Sequence, residues 1–377
     1  MPGLLPWPAK DEPMATPNPF QKTERRPHTD GLFHLEEVRL ANRNSGLLLE
    51  TLRHDVTPVG AHYLLNHFDV PYVPDDGWQL EVGGRVRKPI VVALEEIKRL
   101  PARTLRVTLE CAGNGRAAMT PRYPTMPWVY EAVGTADWTG TPLNNVLGPA
   151  GLLDDAVDIA FIGADRGFDR GQEHDYGRSL KPDAALSDDV LLVWAMNGQP
   201  LLPQHGFPLR LIVPGWYGMA SVKWLKRIEA LAEPYEGFQQ VNSYVYRAVA
   251  DGPGTPATHV RVKSLLVPPG IPDWYTRRRM VDAGEVAIYG RAWSGAGVPI
   301  ARVEVGVDGR WHEAALEPEQ GRFAWRGWRF AWHAKPGEHE LSCRATDANG
   351  DAQPLEPRWD MGGFGNNVVQ RVPVTVR

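Results

Sequence analysis

Cysteine is almost absent: the 377 residues contain two thiols, Cys111 and Cys343. That excludes a disulfide scaffold and a four-sulfur zinc or iron–sulfur site, and a single bridge is the most the pair can make. Net charge is small too, with 41 Lys and Arg against 45 Asp and Glu giving −4 and a pI near 6.3. No global basic field exists to hold nucleic acid or an anionic membrane, so any positive charge used for binding has to be concentrated locally. Long apolar runs are missing as well. The longest, such as Val190 to Met196, fall well short of the ~18 residues that suggest a membrane span. An Arg pair at Arg25 and Arg26 has no apolar run behind it to serve as an export signal. The expectation is a cytoplasmic protein with a Pro-rich arm over residues 1–30; a periplasmic location would need processing or co-export.

Several familiar motifs are also missing. There is no Gly-x4-Gly-Lys-Ser/Thr phosphate loop, no Gly-x-Ser-x-Gly elbow and no His-Glu-x-x-His zinc helix. Gly295 and Gly297 lie between strands with Pro299 following, which reads as a hairpin loop and not a dinucleotide fingerprint. His62 and His67 are five apart, a spacing that does not put two ligands on one helical face, and they read as separate local hydrogen bonds.

What is present is ordinary globular material: 43% apolar and 23% charged residues, with 14 Trp, 38 Gly and 34 Pro favouring turns and aromatic-filled β layers. The length is about two and a half times the ~150-residue domain prior, which points to two domains. Over residues 31–248 short strands mix with helices, so the fold class is α+β: Leu94 to Leu100 reads as a helix, and Leu105, Val107 and Leu109 alternate as a half-buried strand. Further strands are expected at Asp158 to Gly163, Val190 to Met196 and Leu209 to Val213. Over residues 249–377 strand follows strand, at Val286 to Tyr289, Ala301 to Val307, Phe323 to Trp332, Glu338 to Thr346 and Gln370 to Val376. Turns at Asp308-Gly309 and Asn349-Gly350 lie among them, the pattern of an all-β sandwich.

Two stretches carry chemistry. In RTLRVTLECAGNGRAAM, Cys111 shares the parity of Leu105, Val107 and Leu109, so its thiol leaves the strand on the apolar face just before the turn at Gly113-Asn114-Gly115. A buried structural Cys has the same pattern; Arg116 tilts the reading, because a guanidinium near the sulfur favours the thiolate that binds metal. In HGFPLRLIVPGWYGMASVKWL, His205, Arg210 and Lys223 surround a Gly-bearing loop suited to an anion such as a phosphate; a solvated face is the plain alternative.

CAGNGR together with HGFPLRLIVPGWYGMASVKWL resembles the molybdenum-cofactor domain of the sulfite oxidase family. EVAIYGRAWSG through WDMGGFGNNVVQRVPV resembles that family's C-terminal immunoglobulin-like dimerisation domain. The resemblance implies a sulfite-oxidase-like molybdopterin-binding domain followed by the sandwich, a homodimer, and Cys111 as the thiolate ligand of molybdenum beside the dithiolene sulfurs of molybdopterin. Asn66, His67, Asp165, His205, Arg210, Ser221 and Lys223 fall where the family holds the pterin and its phosphate. Arg116 and Trp128 align with substrate-pocket residues; Tyr244, with Tyr246 close behind, aligns with the pocket tyrosine.

Two departures matter. Sulfite-oxidising members have an Arg before the Asn-His pair, where this chain has Leu65, and another three residues after the Trp of the last motif, where it has Gly362. At about 1.5–3 kcal/mol per charge-assisted hydrogen bond, the loss is ~3–6 kcal/mol of oxyanion stabilisation, or ~10²–10⁴ in affinity without compensation. Arg178 stands where the family has a small residue; it either faces the metal site or pairs with Glu173 or Asp175. The expected activity is oxygen-atom transfer at a Cys-ligated oxo-molybdenum centre, with sulfite to sulfate first and another S- or N-oxide as the alternative. No haem or cluster motif is present, so electrons are expected to leave through a separate partner such as a cytochrome c. A rival from another class is a cofactor-free interaction protein presenting Trp325, Trp328 and Trp332 on the sandwich, although their parity suits packing. Cys343, flanked by Leu341 and Ala345 on its strand face, reads as core filler.

Overall fold

The computed structural model describes residues 33–74, 76–249 and 252–377, so the arm expected over residues 1–30 lies outside the described residues. Two sheets build the first half. One has the order β2 (Ile90–Ala93), β1 (Gln79–Gly84), β10 (Leu225–Leu231), β5 (Asp158–Asp169), β6 (Gln172–Leu180). Only β1 and β10 run parallel in it. Alternation drives β1: Leu80 and Val82 enter the core while Gln79 and Glu81 face water. The expected helix forms over Leu94–Arg99. It starts where Glu96 accepts the Ala93 N–H at 2.8 Å, buries Leu94 and Ile97 at i, i+3, and ends on Lys98 and Arg99.

The second sheet runs β3 (Arg103–Glu110), β4 (Val133–Pro142), β7 (Leu191–Met196), β8 (Gln199–Pro200), with β9 (Arg210–Ile212) added to β7. Val107 and Leu109 pack with Ala136, Trp138, Val193 and Ile212, as their parity requires. The strand is not half-buried towards its end, however, because Thr108 and Glu110 are buried as well. The C-terminal half covers the other face: Thr108 N–H donates to Phe323 O at 2.9 Å, and Trp325 N–H donates to Thr108 Oγ1 at 2.7 Å. The strand that delivers Cys111 is therefore clamped between the two halves.

The C-terminal half is a two-sheet sandwich. Its four-stranded sheet holds Lys263–Leu266, Gly284–Trp293, Arg326–Ala334 and Ala315–Leu316; its six-stranded sheet centres on Gln370–Val376, Gly337–Asp347 and Ile300–Val307. Asp308 and Gly309 both take positive φ, +50° and +78°, the mirror-image turn that joins tightly twisted hairpins. The strand expected from Phe323 starts at Arg326, because Phe323 and Trp325 bond to β3 instead. Trp325, Trp328 and Trp332 are buried, which removes the aromatic face on which the binding-protein reading rested. Cys343 lies opposite Val305 in the same core, and both cysteines are free thiols.

Candidate active site

Cys111 follows the last residue of β3 and enters a turn closed by Asn114 N–H on Cys111 O at 2.9 Å. The thiol lines two adjoining chambers, an inner one of ≈ 60 Å³ and an outer one of ≈ 680 Å³. Burial pushes its pKa up, against the pull of Arg116, so the thiol is not held as a thiolate by the protein alone. Arg116 does favour the thiolate, as its charge requires, but desolvation is the larger effect. A cation bonded to the sulfur would supply the missing term.

The inner chamber gathers Asp165, His205, Arg210, Ser221 and Lys223, with His67 and Tyr244 at its junction with the outer one. His205 and Arg210 are buried, so the solvated-face alternative fails for them. Arg210 is fixed by Nη1–H on His205 O (2.9 Å) and Nη2–H on Ser221 O (3.1 Å), and its guanidinium lies 4.8 Å from the Trp138 ring. Ser221 Oγ accepts from Val213 N–H at 3.1 Å. Lys223 Nζ donates to Asn66 Oδ1 and to the carbonyls of Leu65 (3.0 Å) and Gln204 (3.1 Å). Burial lowers the Lys223 pKa and raises that of Asp165. The His205 imidazole is pushed down to about 3 by burial, with His62 and Arg210 adding to it, and is neutral at pH 7.

Three buried polar atoms around this chamber, His62 Nε2, Asp165 Oδ1 and Arg210 Nε, have no hydrogen-bond partner. Unpaired groups of this kind are costly, and a polar organic ligand with an anionic end would satisfy acceptors and donors alike. The donor set thus fits a pterin bearing a phosphate. Among the described residues no three His, Cys, Asp or Glu side chains converge into a ready-made metal cluster. At ≈ 60 Å³ the inner chamber is smaller than ordinary ligand sites, and binding an organic group requires its wall side chains to move apart.

The outer chamber is walled by Arg116, Trp128, His67 and Tyr244, together with Leu65 and Gly362. Arg116 is buried, its Nε–H donating to Gly362 O at 2.9 Å and its Nη1–H to Met126 O at 3.0 Å. Glycine makes this possible: a Cβ at Gly363 would lie 2.3 Å from Arg116 Cγ, and one at Gly113 2.5 Å from Arg116 Nη2. Trp128 packs in one cluster with Cys111, and its indole N–H is a donor available to the Cys111 sulfur, where it favours the thiolate. Tyr244 stands at φ +53°, an uncommon backbone state for a tyrosine, and its hydroxyl lies 2.6 Å from His67 Nε2. Tyr246 lies away from both chambers, its ring 4.4 Å from the Arg261 guanidinium.

Arg178 takes neither expected position. It is buried behind Tyr244, 5.6 Å from that ring, with Nη1–H donating to Gln239 O, and it lines neither chamber. Glu173 and Asp175 instead pair with Arg166, at 3.0 and 3.1 Å, and Asp175 also with Lys226 at 2.9 Å. Several wall residues received no site role from the sequence, although Arg170 lies in the Arg-rich loop DRGFDRGQEHDYGRSL, which offers compensation for the missing guanidiniums. His62 joins the inner chamber, with its Nδ1 on Tyr63 O at 3.1 Å; Arg170 and Arg247 join the outer one. Their separation from the two motifs hides them, although Arg247 lies only three residues beyond Tyr244.

Residues 67–239 match the family model described as the oxidoreductase molybdopterin binding domain, and residues 257–377 match the Mo-co oxidoreductase dimerisation domain. The chain is 34% identical to mitochondrial sulfite oxidase of Homo sapiens in an alignment of 348 positions that covers 85% of this chain and 62% of that protein, so the chain spans less than two thirds of that relative's length. It is 33% identical to sulfite oxidase of Gallus gallus over 333 residues, covering 82% of this chain and 70% of that protein. Nitrate reductase [NADH] 2 of Phaseolus vulgaris is 32% identical over 380 residues, covering 90% and 42% respectively. Among solved structures, the sulfane dehydrogenase SoxCD from Paracoccus pantotrophus shares the fold, with a TM-score of 0.77, 24% identity, and 99% of this chain and 97% of that chain covered. With both domain models matched in order and a Cys-centred pair of chambers between basic side chains, the chain belongs to the sulfite oxidase family of oxidoreductases and uses that family's molybdenum–molybdopterin cofactor.

Proposed function

We propose that the protein oxidises a small oxyanion by oxygen-atom transfer, with sulfite the first candidate, and that Cys111 is the protein's ligand to molybdenum. The observation that carries this reading is the position of Cys111 at the junction of a basic inner chamber and an arginine-bearing outer one. When bound, the cofactor supplies oxygen-atom transfer and the two-electron exchange that accompanies it.

The chain's own residues do the rest. His205, Arg210, Ser221, Lys223, Asn66 and Asp165 would hold the pterin and its phosphate once the walls part, exchanging contacts they now make with one another, such as Lys223 to Asn66, for contacts with the ligand, while Arg210 stays anchored on His205 O. Arg116 points its charge at the substrate side of the sulfur, kept in place by Gly362 O and Met126 O, so no reorganisation is needed as negative charge shifts during reaction. Trp128 and Tyr244 shape the chamber and exclude water, and the Tyr244 hydroxyl is oriented by His67. Electrons leave through a separate partner such as a cytochrome c. Two chains pair through residues 257–377, the segment that matches the dimerisation model.

A second reading keeps the cofactor and changes the substrate. Leu65 and Gly362 wall the outer chamber where guanidiniums would favour an anion, which suits a neutral S- or N-oxide. The test is molybdenum analysis of protein from a cofactor-competent host, followed by sulfite-dependent reduction of ferricyanide or cytochrome c against a panel of S-oxides and nitrate. About one molybdenum per chain, lost in Cys111→Ser, with turnover of sulfite, supports the proposal. Full molybdenum in the Ser variant, or turnover confined to a neutral oxide, overturns it.

A further inference from the structure

The sequence suggests a chamber depleted of guanidiniums, yet its wall holds three. Among the described residues that line it, Arg116, Arg170 and Arg247 stand with one carboxylate, Asp169, whose Oδ1 lies 3.7 Å from Arg170 Nε, and the Asp360 carboxylate accepts the Arg247 backbone N–H behind the wall. Arg170 occupies the two-residue turn between β5 and β6, at φ +50°, a position that usually takes Asn or Gly. Its guanidinium lies 4.6 Å from the Phe238 ring and its Nη2–H donates to Asn242 O at 2.9 Å. Arg247 Nη2–H donates to Val241 O at 3.1 Å, and its buried Nε has no acceptor. The two guanidiniums are therefore tethered by the carbonyls of consecutive residues, Val241 and Asn242. They reach the same chamber from segments 77 residues apart in sequence; Arg170 keeps Nη1 uncommitted beside its Asp169 and Asn242 contacts, and Arg247 keeps Nε and Nη1.

We propose that Arg170 and Arg247 form a tethered pair that captures a small dianionic oxyanion in the outer chamber, replacing the charge that Leu65 and Gly362 do not supply. This rests on the oxyanion reading above and deepens it by assigning the source of anion selectivity. Tethering by carbonyls leaves each planar fork with N–H groups to offer while restricting its rotamers, so less entropy is lost when an anion arrives. Arg116 sits deeper, with two of its donors committed to carbonyls, and acts at the reacting end. A dianion gains from both new cations; a neutral oxide gains little from either.

The test is sulfate binding to molybdenum-loaded protein by calorimetry, for the wild type, Arg170→Gln, Arg247→Gln and the exposed control Arg310→Gln. Each of the two Gln variants is expected to weaken sulfate about tenfold or more, with KM for sulfite rising and kcat nearly unchanged, while the control keeps wild-type affinity. Arg170→Lys and Arg247→Lys, which keep the charge and serve if a Gln variant folds poorly, are expected to fall between. Unchanged sulfate affinity in both Gln variants, or no sulfate binding by the wild type, overturns the inference. Molybdenum content separates the two levels: a chain that never takes up the metal removes the functional proposal, whereas a loaded enzyme indifferent to both substitutions removes only the arginine pair.

Discussion

Lys263 Nζ lies 2.6 Å from Glu110 Oε1, with the two side chains only 3% and 2% exposed, at the residue immediately before Cys111. Glu110 Oε2 also accepts the Trp293 indole N–H at 2.8 Å, and Asn114 Nδ2–H donates to Oε1 at 3.0 Å. Lys263 and Trp293 belong to the sandwich, so the C-terminal half holds the strand that presents the thiol. Removing one partner of such a pair leaves a buried charge uncompensated. Lys263→Met is expected to cost about 3–5 kcal/mol, read as a fall in the denaturant midpoint, with the Lys263→Met/Glu110→Gln double variant regaining part of it. A loss below 1 kcal/mol in the single variant would show that water reaches the carboxylate.

The site was legible where chemistry follows local pattern. Cys111 stands out because strand parity and the Gly113-Asn114-Gly115 turn place it, and His205, Arg210 and Lys223 because they share one short stretch. Arg170 and Arg247 were not, since only the pairing of β5 with β6 and the return of the chain at Tyr244 bring them to one chamber. Arg178 shows the same limit. Its distance in sequence from Glu173 and Asp175 suits a surface pair, but Arg166 and Lys226 already satisfy those carboxylates, and burial behind Tyr244 is a tertiary outcome. The strand at Arg326 begins late for a related reason, because Phe323 and Trp325 are held by β3 and not by their own sheet.

Leu65 offers a direct gain-of-function test. Leu65 lines both chambers and packs against the cluster of Cys111, Met126 and Trp128, and its carbonyl, which a substitution retains, accepts from Lys223 at 3.0 Å. Leu65→Arg adds a guanidinium at the thiol end of the outer chamber. KM for sulfite is expected to fall about tenfold, the equivalent of ~1.4 kcal/mol from one charge-assisted hydrogen bond. Gly362→Arg is expected to fail to do the same, since a Cβ there would lie 2.5 Å from the Phe364 ring. Steady-state kinetics on both variants separates an open position from a blocked one.

A surface pair on the sandwich gives a pH prediction away from the cofactor. His339 Nδ1 lies 2.7 Å from Asp308 Oδ2, and that hydrogen bond raises the imidazole pKa. The Asp308 carboxyl is lowered: burial pushes it up, but the Glu340 N–H and His339 outweigh that. A raised imidazole contributes fully below its unfolded value near 6.5 and loses that contribution as pH rises through the native value. A lowered carboxylate contributes above its unfolded value near 3.9 and loses it as pH falls. The pair therefore supports the sandwich most between roughly pH 4 and 6.5. Titration by NMR is expected to put His339 above 6.5 and Asp308→Asn to bring it back, with added salt shrinking the difference.

Arg116 allows charge to be separated from shape. It gives hydrogen bonds to Gly362 O and Met126 O, lies 5.1 Å from the Phe364 ring, and fits between Gly113 and Gly363, where a Cβ would collide with it. Lysine restores the positive charge but has no planar fork, so it cannot satisfy both carbonyls from that slot while facing the substrate. If charge alone mattered, Arg116→Lys would retain most activity. If the oriented fork matters, kcat/KM for sulfite is expected to drop about 10- to 100-fold in Arg116→Lys and further in Arg116→Gln, with molybdenum content unchanged in both. The carbonyls left unpaired also loosen the segment around Gly362, which faster amide exchange over residues 360–366 would report. A Lys variant with wild-type kinetics would reduce the guanidinium to a point charge.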